Sequence, residues 1–290
     1  MFNLKSGKEK LNLKIIEVKC FSGLVLSKLP GLRYCLNPYI GCEHACKYCY
    51  VSSILKDKEV ALNWGEIIKP KINLLEVLIK AVKKKKKGVV GVSTSTDPYQ
   101  PLEKKYNLTR KSLEILKNEG FPISIQTKSN LILRDLDLIS SNLFDIGVTI
   151  TTLNQELAEK LEPKASKPDA RAQILEECAS RKIQTWLFYG PIIPEVNDDY
   201  ETIVKIVKLA KKTGSKIIYD KLNLKKFVLK SLKSFLEDWD STLIEKIPIL
   251  VNLQSKWNET FEKIESLCAK FNVQVESAFP RKIKLTQYFY

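Results

Sequence analysis

The chain has 290 residues, of which 44% are hydrophobic, enough to bury one large core or two modest ones. Its 48 basic and 33 acidic residues give a net charge of +15. No uninterrupted apolar run of about 18 residues occurs, and the amino terminus carries no apolar segment with a small-residue cleavage site. These features argue against a membrane-spanning or exported protein and predict a cytoplasmic one.

Short apolar runs rich in β-branched residues recur along the chain, and most intervals between them have helical periodicity. The runs are Leu32–Leu36, Val89–Ser93, Ile123–Thr127, Asp145–Thr151, Thr185–Tyr189 and Lys216–Tyr219. The clearest helical intervals are Leu108–Lys117, Asn154–Leu161, Pro168–Arg181 and Asp198–Lys212, with Gly120 and Gly214 as stop signals. This alternation predicts βα units around a parallel sheet, either a partial barrel or an open doubly wound sheet. In both, the chemistry belongs at the carboxyl ends of the strands.

The segments on either side of this repeat predict two extensions. We expect an N-terminal extension at 1–31, the α/β domain at 32–220 and a C-terminal helical extension at 221–290 packed on it. The C-terminal extension contains two predicted helices, near Lys230–Asp238 and over Leu243–Phe271, followed by a short apolar run at Val273–Val275.

The basic excess has two interpretations. It suits a phosphate-bearing partner such as a nucleic acid, but a lysine-rich chain with a single methionine equally fits heat adaptation. The run Lys83–Lys87 ends an apolar-periodic helix and is followed by Gly88. We interpret it first as a solvated helix end with Gly88 as a left-handed cap, and second as a nucleic-acid patch.

Three of the seven cysteines, Cys42, Cys46 and Cys49, fall within eight residues directly after the first predicted strand. This grouping favours metal ligation in a reducing compartment over a disulfide framework. Three sulfurs can hold three irons of a cubane and leave the fourth iron without a protein ligand. The alternative is a zinc site with His44 as fourth ligand, although the spacing does not suit a zinc finger.

Other catalytic classes find little support. His44 is the only histidine, so a Ser-His-Asp or Cys-His hydrolase would have to use it within the cysteine loop. The sequence has neither a GxxxxGK[ST] loop nor a GxGxxG after a strand.

The pattern CxxxCxYC after a first β-strand resembles the signature of radical S-adenosylmethionine (radical SAM) enzymes. The stretches CLNPYIGCEHACKYCY, STSTDPYQPLE, IQTKSNLILRD, ITTLNQELAEKLEP and YGPIIPEVND are, in this order, similar to the spore-photoproduct-lyase-like branch of that superfamily, often labelled DNA repair photolyases. The resemblance implies a partial (β/α)6 TIM-like barrel with one [4Fe-4S] cluster on Cys42, Cys46 and Cys49 at its carboxyl-terminal mouth. It also implies reductive cleavage of S-adenosylmethionine to a 5'-deoxyadenosyl radical, and an external flavodoxin- or ferredoxin-like electron donor.

Further site residues are implied by the same resemblance. Tyr48 matches the aromatic residue that packs on the adenine, and Lys128 matches a residue that contacts the cofactor carboxylate. Thr96 and Thr149 match hydroxyl-bearing positions beside the cofactor. Tyr50 matches a tyrosine in the hydrogen-transfer path of the lyase. Each could instead have a local structural role.

Asp97, Gln100 and Glu103 follow the second predicted strand. They either line the substrate pocket or serve the turn that leads into the next helix.

One position departs from the lyase pattern. The lyase has a hydrogen-donating cysteine after its second strand, and Thr94 stands there in this chain. The spore-photoproduct reaction is therefore not expected in that form. The leading hypothesis is a radical enzyme acting on a nucleic-acid-linked substrate. The alternatives are radical modification of a peptide, lipid or small metabolite and, from a different class, a noncatalytic zinc- or nucleic-acid-binding module.

Overall fold

The computed structural model describes residues 13–140 and 142–279. Its strands within those ranges are β1 (Lys14–Ile15), β2 (Val25–Leu26), β3 (Tyr34–Leu36), β4 (Tyr39–Ile40), β5 (Ile67–Pro70), β6 (Val90–Val92), β7 (Ile123–Thr127), β8 (Phe144–Thr149), β9 (Thr185–Ile192), β10 (Lys216–Lys221) and β11 (Val275–Ser277). The main sheet has the order β11-β10-β9-β8-β7-β6-β3-β2. Strands β3, β6, β7, β8, β9 and β10 run parallel to one another, as do β10 and β11, whereas β2 is antiparallel to β3.

The helices are α1 (Val51–Ile54), α2 (Lys58–Leu62), α3 (Leu74–Lys84), α4 (Glu103–Tyr106), α5 (Leu108–Asn118), α6 (Gln155–Leu161), α7 (Pro168–Ser180), α8 (Tyr200–Thr213), α9 (Lys226–Trp239), α10 (Leu243–Asn252) and α11 (Gln254–Lys270), with a 3₁₀ helix at Asn130–Asp135. Local sequence explains several of their ends. The side chain of Asp199 accepts a hydrogen bond from the Thr202 N–H at 2.9 Å and caps α8, and Gly214 ends that helix with φ of +65°.

All six predicted strands are confirmed, and the parallel βα order gives the predicted α/β class of a TIM-like partial barrel. The outward face of the sheet carries the core, in which Leu36, Val92, Ile125, Val148 and Leu187 are fully buried. Strands alternate their side chains between faces. The intervening residues therefore face the barrel interior, and the strands' carboxyl ends form its mouth.

Segments outside the repeat add strands to both edges of this sheet: β2 pairs with β3, and β11 pairs with β10. A second, three-stranded sheet has the order β1-β5-β4. The domain boundaries at 31 and 220 remain predictions. No helix within the described ranges is both long enough and apolar enough to cross a bilayer.

The predicted helix Leu243–Phe271 is wrong in one respect, because it is two helices. Leu253 adopts an extended conformation (φ −84°, ψ 111°) between α10 and α11. The Trp257 indole N–H donates a hydrogen bond to the Val251 carbonyl at 2.8 Å and so supplies a partner that the helix no longer provides.

The predicted left-handed cap at Gly88 is also wrong. Helix α3 ends at Lys84, and Lys85 is already extended (φ −94°, ψ 141°). A Cβ on Gly88 would lie 2.3 Å from the Arg33 Cδ atom, so this glycine permits a close approach of two segments. The lysine run precedes β6 and therefore lies at the opposite end of the sheet from the mouth.

Candidate functional site at the barrel mouth

The three clustered cysteines lie in the loop between β4 and α1. Gly41 opens this loop with φ of +88°, and a Cβ there would lie 2.5 Å from the Ile67 carbonyl oxygen, so only glycine fits. Cys42 and Cys46 are buried and Cys49 is half-buried, and all three thiols are free. The loop therefore presents three thiols to one region at the mouth.

Burial controls the acidity of these thiols. It raises the pKa of Cys42 well above its usual value, that of Cys46 to about 12, and that of Cys49. The ammonium group of Lys128 opposes this rise at Cys46 and Cys49. Thiolates form here only with strong positive charge beside them, as a bound metal centre provides.

The donor set fits a cluster better than a single ion. Among the described residues, no three His, Cys, Asp or Glu side chains are arranged to hold one metal ion. The three thiols are nevertheless close enough for the charges of Cys46 and Cys49 to raise the Cys42 pKa. Three neighbouring thiols in one loop match the three protein ligands that an iron–sulfur cubane with one open iron requires.

His44, in the cysteine loop, contacts Asp97, which follows β6. Its Nδ1 atom lies 3.4 Å from Asp97 Oδ2, and both side chains are buried. Asp97 also accepts hydrogen bonds from the Thr127 hydroxyl at 2.7 Å, the Lys128 N–H at 2.7 Å and the Tyr99 N–H at 2.9 Å. Burial raises the Asp97 pKa, but His44 and these donors outweigh it and lower the pKa to about 2. The ionised Asp97 thus joins the cysteine loop to the ends of β6 and β7.

Tyr48 is buried above a second charged network. Its hydroxyl donates to Glu162 and lies 3.1 Å from the Thr151 hydroxyl. Glu162 also forms an ion pair with Arg171, and each side chain of that pair is only 1% exposed. Burial raises the Glu162 pKa, but Arg171 and Lys128 outweigh it and lower the pKa. Tyr48 is therefore held in a fixed orientation by a carboxylate that is itself paired.

Lys128 follows the last residue of β7 and lies above Tyr48. Its Nζ atom is 5.6 Å from the centre of the Tyr48 ring. No hydrogen bond or ion pair engages this Nζ within the part of the chain described. Burial lowers the Lys128 pKa, but Cys46, Glu162 and Asp97 outweigh it and raise the pKa. The result is a cation at the mouth with unused hydrogen-bond donors.

The remaining predicted residues lie at the same mouth with different roles. The Thr96 hydroxyl donates to the Gly41 carbonyl at 2.6 Å, which fastens the start of the cysteine loop. The Thr149 hydroxyl accepts a hydrogen bond from Gln126 Nε2 at 3.2 Å. Tyr50 is 37% exposed, and burial, Cys49 and Asp220 together raise its pKa despite the opposing effect of Lys128.

The Gln100 and Glu103 side chains of the DPYQPLE segment are engaged in internal contacts. Gln100 and Glu103 are fully buried. The Gln100 side-chain carbonyl accepts from the Glu43 N–H at 2.9 Å, and Glu103 accepts from Tyr39 and from the Thr109 N–H at 3.0 Å. These side chains therefore fasten the segment to β4, to the cysteine loop and to the start of α5.

Thr94, the position of the lyase's cysteine, is held by Asn37. The Thr94 N–H donates to Asn37 Oδ1 at 2.9 Å, and its hydroxyl accepts from Asn37 Nδ2 at 3.2 Å.

Sequence reasoning missed three charged residues at this site. Glu162, Arg171 and Asp220 carry no spacing signal of their own. Glu162 falls inside one of the stretches that resemble the lyase branch, which is the one signal that could have pointed to it. Burial raises the pKa of Asp220, at the mouth end of β10, to about 6.

Comparison with known proteins agrees with this geometry. The family model of the radical SAM superfamily matches residues 36–210. The chain belongs to the radical SAM superfamily. Members of this family bind S-adenosylmethionine and a [4Fe-4S] cluster. The three neighbouring thiols at the barrel mouth are consistent with that family property.

Two curated relatives are similar to this chain in sequence. An uncharacterized protein of Methanocaldococcus jannaschii is 35% identical over 187 residues, 64% of this chain and 70% of the relative. An uncharacterized protein of Acidianus two-tailed virus is 32% identical over 230 residues, 73% of this chain and 74% of the relative.

Among solved structures, a variant of spore photoproduct lyase with bound AdoMet and dinucleoside spore photoproduct has a similar fold. The TM-score is 0.68 at 12% identity, covering 95% of this radical SAM chain and 86% of the lyase.

Proposed function

We propose that this radical SAM protein binds a [4Fe-4S] cluster through Cys42, Cys46 and Cys49. There it reductively cleaves S-adenosylmethionine, generating a 5'-deoxyadenosyl radical that acts on a nucleic-acid-linked substrate. Cys42, Cys46 and Cys49 would hold the cluster, which when bound would supply reductive cleavage of the cofactor, with an external flavodoxin- or ferredoxin-like protein as electron donor.

The observation that carries the proposal is the position of Lys128 relative to the cysteine loop. Its ammonium lies over Tyr48 and affects the acidity of Cys46 and Cys49, yet its donors are unused. A carboxylate beside the cluster would receive a charge-assisted hydrogen bond from it. The chain thus offers an anion-binding group next to three thiols, as an amino-acid cofactor requires.

The other predicted site residues contribute to this proposal in different ways. Tyr48 provides an aromatic face for the adenine, oriented by Glu162, and Thr149 offers a hydroxyl beside the cofactor. Thr96 acts on the cofactor through the loop that it fastens at Gly41. Tyr50 lies in the hydrogen-transfer path, since it is partly exposed at the mouth beside Cys49.

A nucleic-acid substrate is supported by the net charge of +15. A further relative, the radical SAM Nalpha-GlyT isomerase of Pseudomonas phage M6, is 25% identical to this chain over 186 residues, 61% of this chain and 35% of that relative.

The first test is anaerobic turnover of S-adenosylmethionine with dithionite, following 5'-deoxyadenosine. The wild type is compared with Cys42→Ala, Cys46→Ala and Cys49→Ala, and with Cys20→Ala as a control thiol outside the mouth. We expect product from the wild type and from Cys20→Ala alone. Product from any of the three mouth variants would refute the ligand assignment. A colourless reconstituted protein that binds one zinc would support the noncatalytic alternative.

The second test concerns the substrate. Binding of DNA and RNA is measured at increasing salt, because phosphate contacts weaken steeply as counterions compete. Absent or salt-independent binding would contradict a nucleic-acid substrate. In that case reduced enzyme is incubated with metabolite extracts, which are searched for mass changes in peptides, lipids or small molecules.

A further inference from the structure

Strand β9 places two aromatic side chains inside the barrel. Its Leu187 and Tyr189 are fully buried in the outer core. Trp186 and Phe188 alternate with them and therefore face the interior, where both remain half-buried. Two partly exposed aromatic rings on a central strand indicate interior space that the chain's own side chains do not fill.

The Trp186 ring is fixed in one orientation. Its indole N–H donates to Asp145 Oδ1 at 2.8 Å, and the same oxygen accepts from the Ser124 hydroxyl at 2.6 Å. A Cβ on Gly147 would lie 2.2 Å from the ring, so the indole lies directly against the β8 backbone. The ring therefore forms a rigid floor on this side of the interior.

Phe188 extends this floor towards the mouth. Its ring centre is 6.2 Å from that of Trp186, and the two planes meet at 87°. A Cβ on Gly190 would lie 2.6 Å from the Phe188 ring, which therefore leans over the last part of the strand. Gly147 and Gly190 are thus required because the Trp186 and Phe188 rings occupy the space that a Cβ atom would need.

The register of the sheet sets Phe188 beside the proposed cofactor contacts. Phe188 pairs with Thr149 on β8 and with Ile218 on β10. Lys128, which directly follows β7, lies one strand further along this same level. A ligand group stacked on Phe188 would therefore lie next to the space assigned to the cofactor.

Two polar groups face the same space. The Gln126 side chain donates a hydrogen bond from its Nε2 atom to the Thr149 hydroxyl. Its side-chain carbonyl oxygen accepts no hydrogen bond in the described part of the chain. Asp220, two residues beyond Ile218 on the same face of β10, is half-buried and accepts a single hydrogen bond at 2.8 Å from the neighbouring Lys221 N–H. Both groups can accept hydrogen bonds from amino or imide N–H groups.

We propose that Phe188, supported by Trp186, stacks against a single nucleobase of the substrate, with Gln126 and Asp220 as hydrogen-bond acceptors at the base edge. This inference rests on the proposed function, because it identifies the part of a nucleic acid that reaches the radical chemistry. Enzymes that act on a base take it out of its stack and hold it between ring faces and polar groups. An interior wall with these two elements is suited to an extruded or single-stranded base.

The test is anaerobic binding of fluorescent oligonucleotides to the reconstituted holoprotein. One probe is a thymidine hexamer, and the other is an abasic hexamer with the same number of phosphates. We expect the wild type to bind the thymidine probe more tightly. Phe188→Leu should weaken that binding about five-fold or more, as loss of one base-stacking contact predicts, and leave the abasic probe unaffected. Phe188→Tyr, which keeps the ring, should retain binding.

Phe21→Leu is the matched control, because Phe21 is fully exposed on the N-terminal segment. Equal affinity of the two probes for the wild type, absence of binding, or unchanged affinity in Phe188→Leu would each overturn the inference. Formation of 5'-deoxyadenosine is measured in parallel. If it forms while base-dependent binding is absent, the stacking site fails and the radical chemistry stands. If it is absent with both probes, the proposed function itself fails.

Discussion

The ammonium of Lys128 lies 5.6 Å from the centre of the buried Tyr48 ring, a cation placed over an aromatic face at the edge of the cysteine loop. Lys105 has a similar relationship to Tyr106 on α4, at 5.3 Å. The two pairs differ in that Lys128 is surrounded by thiols and carboxylates that raise its pKa. Lys128 is thereby kept charged where the proposed cofactor binds.

We expect Lys128→Met to weaken S-adenosylmethionine binding about ten-fold or more, because one charge-assisted hydrogen bond is lost. Equilibrium dialysis of the reconstituted protein measures this affinity. Lys105→Met removes the equivalent lysine from an exposed pair and should leave the affinity unchanged. Equal losses in both variants would argue against a specific role for Lys128.

Glu162→Gln should destabilise the protein by about 3–5 kcal/mol, because it leaves the buried Arg171 guanidinium without its counterion. Denaturant unfolding measures the free energy change. Glu176→Gln breaks an exposed ion pair with Lys212 and should change stability by about 1 kcal/mol or less. A Glu162→Gln effect as small as that of Glu176→Gln would show that the network beneath Tyr48 is not formed as described.

The stability of the protein should depend on Asp220 at neutral pH. Burial raises the Asp220 pKa to about 6, above its ordinary value of 3.8, so the folded state favours the protonated form. The resulting stabilisation is complete below about pH 4 and is lost as the pH rises through 6. Asp220→Asn should therefore unfold at higher denaturant concentration than the wild type at pH 8, and the difference should shrink at pH 4. A difference independent of pH would contradict the raised pKa.

Gly147→Ala should destabilise the protein by about 1–3 kcal/mol, because the new Cβ would meet the Trp186 ring at 2.2 Å. Thermal unfolding measures the loss. Combining it with Trp186→Val, which removes the obstructing ring, should cost less than the sum of the two single changes. Strict additivity would mean that the glycine and the ring do not constrain each other.

The sequence predicted the repeat well because its signals are local. Each parallel strand of the repeat lies in a short run rich in apolar residues, β-branched in all but β3, and Gly214 marks a helix end by its left-handed conformation. The break at Leu253 lacks such a local signal, since Pro248 lies inside α10 and the flanking residues keep helical periodicity. Tertiary contact with Trp257 decides that position.

At the site, the sequence could name residues but not their partners. CxxxCxxC identifies three thiols because all three lie in one loop. The Glu162–Arg171 pair joins α7 to the end of α6 and lies beneath a tyrosine more than a hundred positions away, so only the folded chain reveals it. For Asp97, the sequence showed a position after a strand. It did not show that the carboxylate accepts hydrogen bonds from the Thr127 hydroxyl and the Lys128 N–H.

The outermost strand β11 has a consequence for biosynthesis. Within the described part of the chain, strand β10, which carries Ile218 and Asp220, pairs on its open side with β11, residues 275–277. A ribosome-bound chain therefore emerges with β10 as an unpaired edge throughout the translation of α9, α10 and α11. Exposed edges of this kind can pair with other chains. The barrel sheet thus becomes complete only after β11 has been translated, so the translation of α9, α10 and α11 is a period in which the open edge of β10 favours aggregation.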